Sequence, residues 1–361
     1  MNKISITLFS WSLTLLLVGC AYNDEVRNIF LGPTLIDAEV KAMNNKSKNS
    51  IMKSTLNRSH PPKVPSLEGT LVNYHMHHSG EIFSELIRPR PVDVWLPEGF
   101  DSKSDKLYPV IYMHDGQFLF HQSRSPYAGM DFMFWDVDKV MSRLQGEGKI
   151  KPAIVVAVWM ADWDKGARGA EYMPQKAVSN EVLEIMRQAG PGSTVGGFVG
   201  ESGGESLSSD NYLRFLVQEL KPFIDKTYPT LPGRADTFVM GSSMGGLLSA
   251  YALAEYPEIF GGAACLSSHW PAGDGAVVNW LSGHWPEAGN NRVYFDYGTE
   301  TLDASYEPYQ MQMDLILRKK GYREGEDWIT RRFDGANHSM QAWKDRLHIP
   351  LKFLLGADEK N

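Results

Sequence analysis

Gly241-Ser242-Ser243-Met244-Gly245 sets a serine between two glycines, where an apolar run (Thr237 to Met240) gives way at once to a helix-forming segment. That spacing suits a nucleophile. A strand-to-helix turn this sharp leaves no room for side chains two residues either side of the serine. In return, the Ser243 oxygen stands clear at a helix N-terminus, where the dipole and the Met244 N–H can stabilise an oxyanion. A serine hydroxyl is a poor nucleophile at neutral pH and needs a base within hydrogen-bond reach. His338, in Asp334-Gly335-Ala336-Asn337-His338-Ser339, lies where a loop can bring an imidazole over Ser243. An acid that orients the imidazole belongs on the loop after the run ending at Tyr297. Glu300 and Asp303 both qualify there, and Asp303 is alternatively the N-cap of the next helix. A second oxyanion donor is expected from His114-Asp115-Gly116-Gln117, as the backbone N–H of Gln117.

These residues need strands ending at fixed places. Thr70 to Met76 and Pro91 to Leu96 read as antiparallel strands, and Val110 to Met113 as a buried strand. Asp131 to Leu144 reads as a helix, Ala153 to Trp159 as a strand, and Asp210 to Lys226 as an amphipathic helix. After the serine turn come strands at Gly262 to Leu266 and Arg292 to Tyr297, then a helix over Ser305 to Lys320. A last strand covers Trp328 to Phe333, and the closing helix spans Met340 to Leu355. Alternating strands and helices imply a mostly parallel sheet covered on both faces, and no internal repeat is visible. The stretch from Met160 to Ser209, with its glycine-rich Gly190 to Gly204 segment, reads as a mobile, lid-like loop. Its glycines do not follow a strand and include no lysine, so a phosphate cradle is not expected.

Taken together, four segments resemble the esterase D family. They are Tyr112-Met113-His114-Asp115-Gly116-Gln117, Tyr212-Leu213-Arg214-Phe215 with Glu219-Leu220-Lys221-Pro222, Gly241 to Gly246, and Gly335-Ala336-Asn337-His338. That family includes siderophore esterases of the enterobactin type, S-formylglutathione hydrolase, feruloyl and acetyl-xylan esterases, and mycolyltransferases. The resemblance runs from about residue 70 to 355. It implies an α/β-hydrolase fold with a sheet of about eight strands and an inserted lid-like region. It also implies a triad of Ser243, His338 and Asp303, hydrolysis of a small-molecule or polysaccharide-linked ester, and no cofactor. Arg168 and Tyr172 resemble an Arg…Glu-Tyr element of siderophore esterases, which marks them as candidate substrate contacts. Trp159, Trp163, Trp270 and Trp285 lie near expected strand ends, where an aromatic acyl group or a sugar could stack; Trp270 is carried forward among the candidates. The alternatives are an acyltransferase of the mycolyltransferase type and a non-catalytic binding lipoprotein.

The 361 residues carry a net charge of −7 and ten tryptophans, enough for a sizeable core and without the basic face that nucleic acid requires. Met1-Asn2-Lys3, an apolar run from Ile4 to Val18, and Leu17-Val18-Gly19-Cys20 read as a signal peptide over residues 1–20. The end of that run resembles a bacterial lipobox, implying cleavage before Cys20 and acylation of its thiol. The expected address is an exported lipoprotein held at the outer membrane, since Ala21 rather than aspartate follows the cysteine. Residues 21–67, rich in Asn, Lys, Ser and then Pro, read as a flexible tether, and 68–361 as one catalytic domain. Cys265 reads as a small buried hydrophobe. His75, His77 and His78 have no carboxylate or third ligand spaced to complete a metal site, so none is expected.

Overall fold

Five short runs write the centre of the sheet. Val110–Met113, Ile154–Val158, Thr237–Ser242 and Gly262–Leu266 are buried along their length, as is Arg292–Gly298 past its first residue. Unbroken burial of this kind belongs to parallel strands covered on both faces. The computed structural model describes residues 67–357, except 76–83, 122–124, 128, 162–166, 191–192, 194, 197–206 and 290. Cys20, the signal peptide, nearly all of the expected tether, Trp163, His77 and His78 lie outside the described residues.

In chain order the strands are β1 (Thr70–His75), β2 (Pro91–Leu96), β3 (Val110–Met113), β4 (Ile154–Val158), β5 (Thr237–Ser242), β6 (Gly262–Leu266), β7 (Arg292–Gly298) and β8 (Trp328–Phe333). They form one sheet in the order β1-β2-β4-β3-β5-β6-β7-β8. The β1/β2 and β2/β4 pairs are antiparallel, and every later pair is parallel. This is an α/β fold with a mostly parallel sheet. Its parallel strands all end at the same edge, so the loops after β3, β5, β6, β7 and β8 meet there.

The helices are α1 (Val137–Gly146), α2 (Ala167–Tyr172), α3 (Asn180–Ala189), α4 (Ser209–Arg214), α5 (Lys221–Thr227), α6 (Met244–Glu255), α7 (Ala276–His284), α8 (Glu307–Lys319), α9 (Met340–Arg346) and α10 (His348–Leu355). A π-helical segment, Phe215–Leu220, joins α4 to α5, so the expected amphipathic helix is continuous in place but not in hydrogen-bond pattern. α6 is buried from Met244 to Leu253, as a helix that is apolar all round must be.

Four expectations need correction. The helix expected from Asp131 starts at Val137, after a separate 3₁₀ turn at Asp131–Met133. The stretch expected to be a mobile loop from Met160 holds α2, a 3₁₀ turn at Gln175–Ala177, and α3, which Ser179 caps through its side chain. Its glycine-rich part lies largely outside the described residues. The closing helix is two helices, because Pro350 offers no N–H to the Arg346 carbonyl and its ring crowds it. Finally, α7 occupies a stretch given no element from the sequence. Its periodicity is blurred by Val277, Val278, Trp280 and Leu281, which leave little polar face.

Candidate active site

Ser243 sits between β5 and α6 at φ 57° and ψ −122°, a conformation that a non-glycine residue holds only under strain. Its neighbours make the turn obligatory. A Cβ on Gly241 would lie 2.7 Å from the Gly245 backbone, and one on Gly246 would lie 2.7 Å from Ser268 Oγ. The N–H groups of Gly246 and Leu247 close on the Ser243 carbonyl, and the Ser243 N–H is fixed by the Leu266 carbonyl. Met244 is the first residue of α6, where an N–H has no partner four residues back within the helix.

Across the sheet edge, His338 Nε2 lies 3.0 Å from Ser243 Oγ, and His338 Nδ1 lies 2.5 Å from Asp303 Oδ1. All three are buried, at 1 %, 4 % and 1 % exposure. The loop carrying His338 is clamped to the loop after β7. Thr299 and Glu300 both donate N–H bonds to the Ala336 carbonyl, and the His338 N–H donates to Thr301 Oγ1 at 2.8 Å. Gly298 makes this closeness feasible, since a Cβ there would fall 2.1 Å from the Ala336 carbonyl oxygen. The His338 ring is held edge-on between Trp343 and Tyr306, with centroids 4.9 and 5.8 Å away.

Of the two acids expected after β7, Asp303 reaches the histidine, while Glu300 is exposed and only precedes the 3₁₀ turn Thr301–Ser305, with no capping bond from its side chain. Asp303 lies inside that turn and does not cap α8. Its Oδ2 accepts from the Gly298 N–H at 2.6 Å and from Ser267 Oγ at 2.5 Å. Burial works to raise its pKa, but the His338 charge and hydrogen bond, with the Ser267 and Gly298 donors, hold it below the ordinary value.

Gln117 lies in the 3₁₀ turn Gly116–Phe118 that follows Asp115, itself at φ 59°. The turn is seated beside α6: a Cβ on Gly245 would lie 3.4 Å from both the Asp115 carboxylate and His114 Cβ. The His114 N–H extends the β3–β5 pairing onto the Met240 carbonyl. Gln117 is pinned through its side chain, whose Oε1 accepts from the Met160 N–H at 3.1 Å.

The three candidate substrate contacts lie apart from one another in role. Arg168 grips Asp115 with both prongs, and Tyr172 is fully buried with its hydroxyl accepting the Asp115 N–H at 3.2 Å. Both therefore brace the loop that carries Gln117. Trp270, expected to offer a stacking face, is packed against Phe295 with its N–H on Gln310 Oε1 at 2.9 Å. Trp159 is likewise tied inward, to Asp93 at 2.7 Å, and Trp285 packs on Phe295 and Tyr322.

Residues 191–351, which include Ser243, Met244, Asp303 and His338, match the family model described as putative esterase. The chain is 23% identical over 155 residues to the Bacillus subtilis protein described as uncharacterized protein YbbA. That match covers 41% of this chain and 60% of the relative's length. Among solved structures, the chain resembles the enterobactin esterase of Shigella flexneri (TM-score 0.55, 19% identity, 81% of this chain and 60% of that one). It also resembles the BES protein of Bacillus cereus (TM-score 0.55, 17% identity, 82% and 100%). A third likeness is to a ferulic acid esterase of the fungus Anaeromyces mucronatus (TM-score 0.50, 18% identity, 82% and 92%). At these identities the structural likenesses establish the fold. With the family match, the comparisons support a carboxylic-ester hydrolase.

Several residues around the site carry no sequence signal. Ser267, Asp296, Trp343 and Arg346 form a buried group behind Asp303, joined by contacts between β6, β7 and α9. Nothing in local spacing could have found them.

Proposed function

We propose that this chain is a serine ester hydrolase with Ser243 as nucleophile, His338 as general base and acid, and Asp303 as the acid that orients the histidine. One observation carries the reading: the unbroken line from Ser243 Oγ through both ring nitrogens of His338 to Asp303, at 3.0 and 2.5 Å. In the first half-reaction Ser243 attacks the ester carbonyl carbon while His338 takes its proton. The N–H groups of Met244 and Gln117 receive the oxyanion, the group where such donors are worth about 3 kcal/mol each. His338 then protonates the departing alcohol and leaves an acyl-enzyme. Water, deprotonated by His338, releases the acid and restores the serine.

The substrate we assign is an extracytoplasmic acyl ester, either carbohydrate-linked (feruloyl or acetyl) or of a siderophore. Support comes from the fold likeness to an enterobactin esterase and a ferulic acid esterase. The apolar leader ending in Leu17-Val18-Gly19-Cys20 supports export and anchoring through an acylated Cys20.

The test is hydrolysis of a panel by the full chain and by Ser243→Ala. The panel comprises nitrophenyl acyl esters, methyl ferulate, acetylated xylan and a catecholate siderophore ester. Turnover by the wild type alone supports the reading, and the preferred ester names the substrate class. Equal turnover by both proteins removes Ser243 from the reaction.

A further inference from the structure

Ser267 follows β6 with φ 39°, a conformation in which glycine would be at ease and serine is strained. The hydroxyl accounts for its presence. Ser267 Oγ receives N–H bonds from Trp343 Nε1 at 3.0 Å and from Arg346 Nη2 at 2.6 Å. Neither group can accept a hydrogen bond, so both lone pairs of the oxygen are taken. Its single hydrogen has one remaining target, Asp303 Oδ2 at 2.5 Å. The direction of this bond is thus fixed by the donor inventory alone.

The next layer holds this arrangement in place. Arg346 Nη2 also lies 2.9 Å from Asp296 Oδ1, which accepts the Ser267 N–H at 3.0 Å as well. Asp296 Oδ2 accepts from the Tyr294 hydroxyl at 2.9 Å. Arg346 is 3 % exposed and Asp296 1 %, so each charge is the other's compensation in a dry interior. The pair also keeps the Arg346 N–H aimed at Ser267. Trp343 contributes twice, through its N–H on Ser267 and its ring against His338.

We propose that Ser267 is a positioning residue for the reaction, a one-way donor, locked by Trp343 and the Arg346–Asp296 pair, that fixes the Asp303 carboxylate against His338. This rests on the serine hydrolase reading above. A donor locked in this sense favours the ionised carboxylate and fixes its rotation, so Oδ1 stays presented to the His338 Nδ1–H throughout the proton transfers.

Ser267→Gly separates this role from a structural one, because it relieves the backbone strain while deleting the hydroxyl. The readout is the rate at which a fluorophosphonate modifies Ser243 in the full chain; there the Oγ–P bond forms, fluoride leaves and His338 takes the serine proton. The rate is followed across pH, together with the low-field proton NMR signal of His338 Nδ1–H. Ser267→Gly should fold, with a loss of stability because Trp343 Nε1 and Asp303 Oδ2 lose a buried partner, react about tenfold more slowly, and shift both the pH profile and the low-field signal. Trp343→Phe, which keeps a ring beside His338, should lose less in the same direction. A Ser267→Gly protein with the wild-type rate, profile and proton signal overturns the inference. Ser243→Ala is the control: if it alone abolishes labelling while Ser267→Gly is unchanged, only this inference falls. If Ser243→Ala is still labelled at the wild-type rate, the hydrolase reading falls with it.

Discussion

Arg168 and Asp115 form a two-pronged ion pair, with Nε 2.9 Å from Oδ1 and Nη2 2.8 Å from Oδ2. The pair ties α2 to the turn after β3, and Arg168 also lies over the Tyr172 ring, 5.1 Å from its centroid. Both side chains are nearly buried, at 12 % and 10 % exposure. Replacing one partner strands a charge, so Arg168→Met should cost roughly 3 kcal/mol of stability and also slow turnover, as the turn bearing Gln117 loosens. The double variant Arg168→Met with Asp115→Asn should recover most of the stability. Denaturant unfolding of the three proteins checks this, and a double variant no better than the single would contradict it.

Asp303 and Glu300 are three residues apart, yet only Asp303 reaches His338. Asp303→Asn replaces an acceptor with an amide that must present the wrong group either to His338 or to the Ser267 and Gly298 donors. A fall in kcat of about 10⁴ is expected, the scale seen when this acid is neutralised in serine hydrolases. Glu300→Gln should leave kcat/KM unchanged. Steady-state kinetics of the two variants decide between the acids, and comparable losses in both would unseat Asp303.

The glycines flanking Ser243 are not equivalent, which corrects the expectation that neither position has room for a side chain. A Cβ on Gly241 meets Gly245 backbone atoms at 2.7 Å, whereas one on Gly245 meets its neighbours no closer than 3.4 Å. Gly241→Ala should therefore cost about 2 kcal/mol and most of the activity, since the elbow must open. Gly245→Ala should be mild in stability. Thermal melts and initial rates check the order, and a reversed order would show that the turn is not packed as described.

His114 is buried beside this elbow, and burial first, then the Arg168 cation, push its imidazole down to about 3. The unfolded chain binds a proton there at the ordinary value of about 6.5. Stability from this group is whole above that value and is lost as pH falls from 6.5 towards 3, at up to about 1.4 kcal/mol per pH unit. His114→Gln removes the effect. Chemical unfolding near pH 7 and near pH 5 should show a smaller gap in the variant than in the wild type. Equal gaps would mean that His114 charges freely in the folded protein.

What the sequence made legible was what depends on neighbours along the chain. The elbow at Ser243 is a local steric fact, so two glycines and an apolar run sufficed to find it. His338 was legible from its place after the last strand. Local spacing left Glu300 and Asp303 open and the family resemblance favoured Asp303; in the structure the choice is made by Gly298 approaching Ala336 and by Ser267, on other elements. The group behind Asp303 was invisible for the same reason, since Trp343 and Arg346 meet Ser267 across 76 and 79 residues of chain. Trp270 misled through its type: an indole near a strand end is as suited to the core, and Gln310 on α8 supplies its partner. The stretch after Met160 read as a loop because its helices are short and set among glycines and prolines.

The acyl group of an ester should pass through Ser243. Mixing the full chain with excess nitrophenyl acetate and quenching within the first turnover measures this directly. A burst of about one nitrophenolate per chain is expected, with the acetyl group on the peptide containing Ser243 and no burst from Ser243→Ala. Acetyl on another residue, or an equal burst from Ser243→Ala, would contradict it.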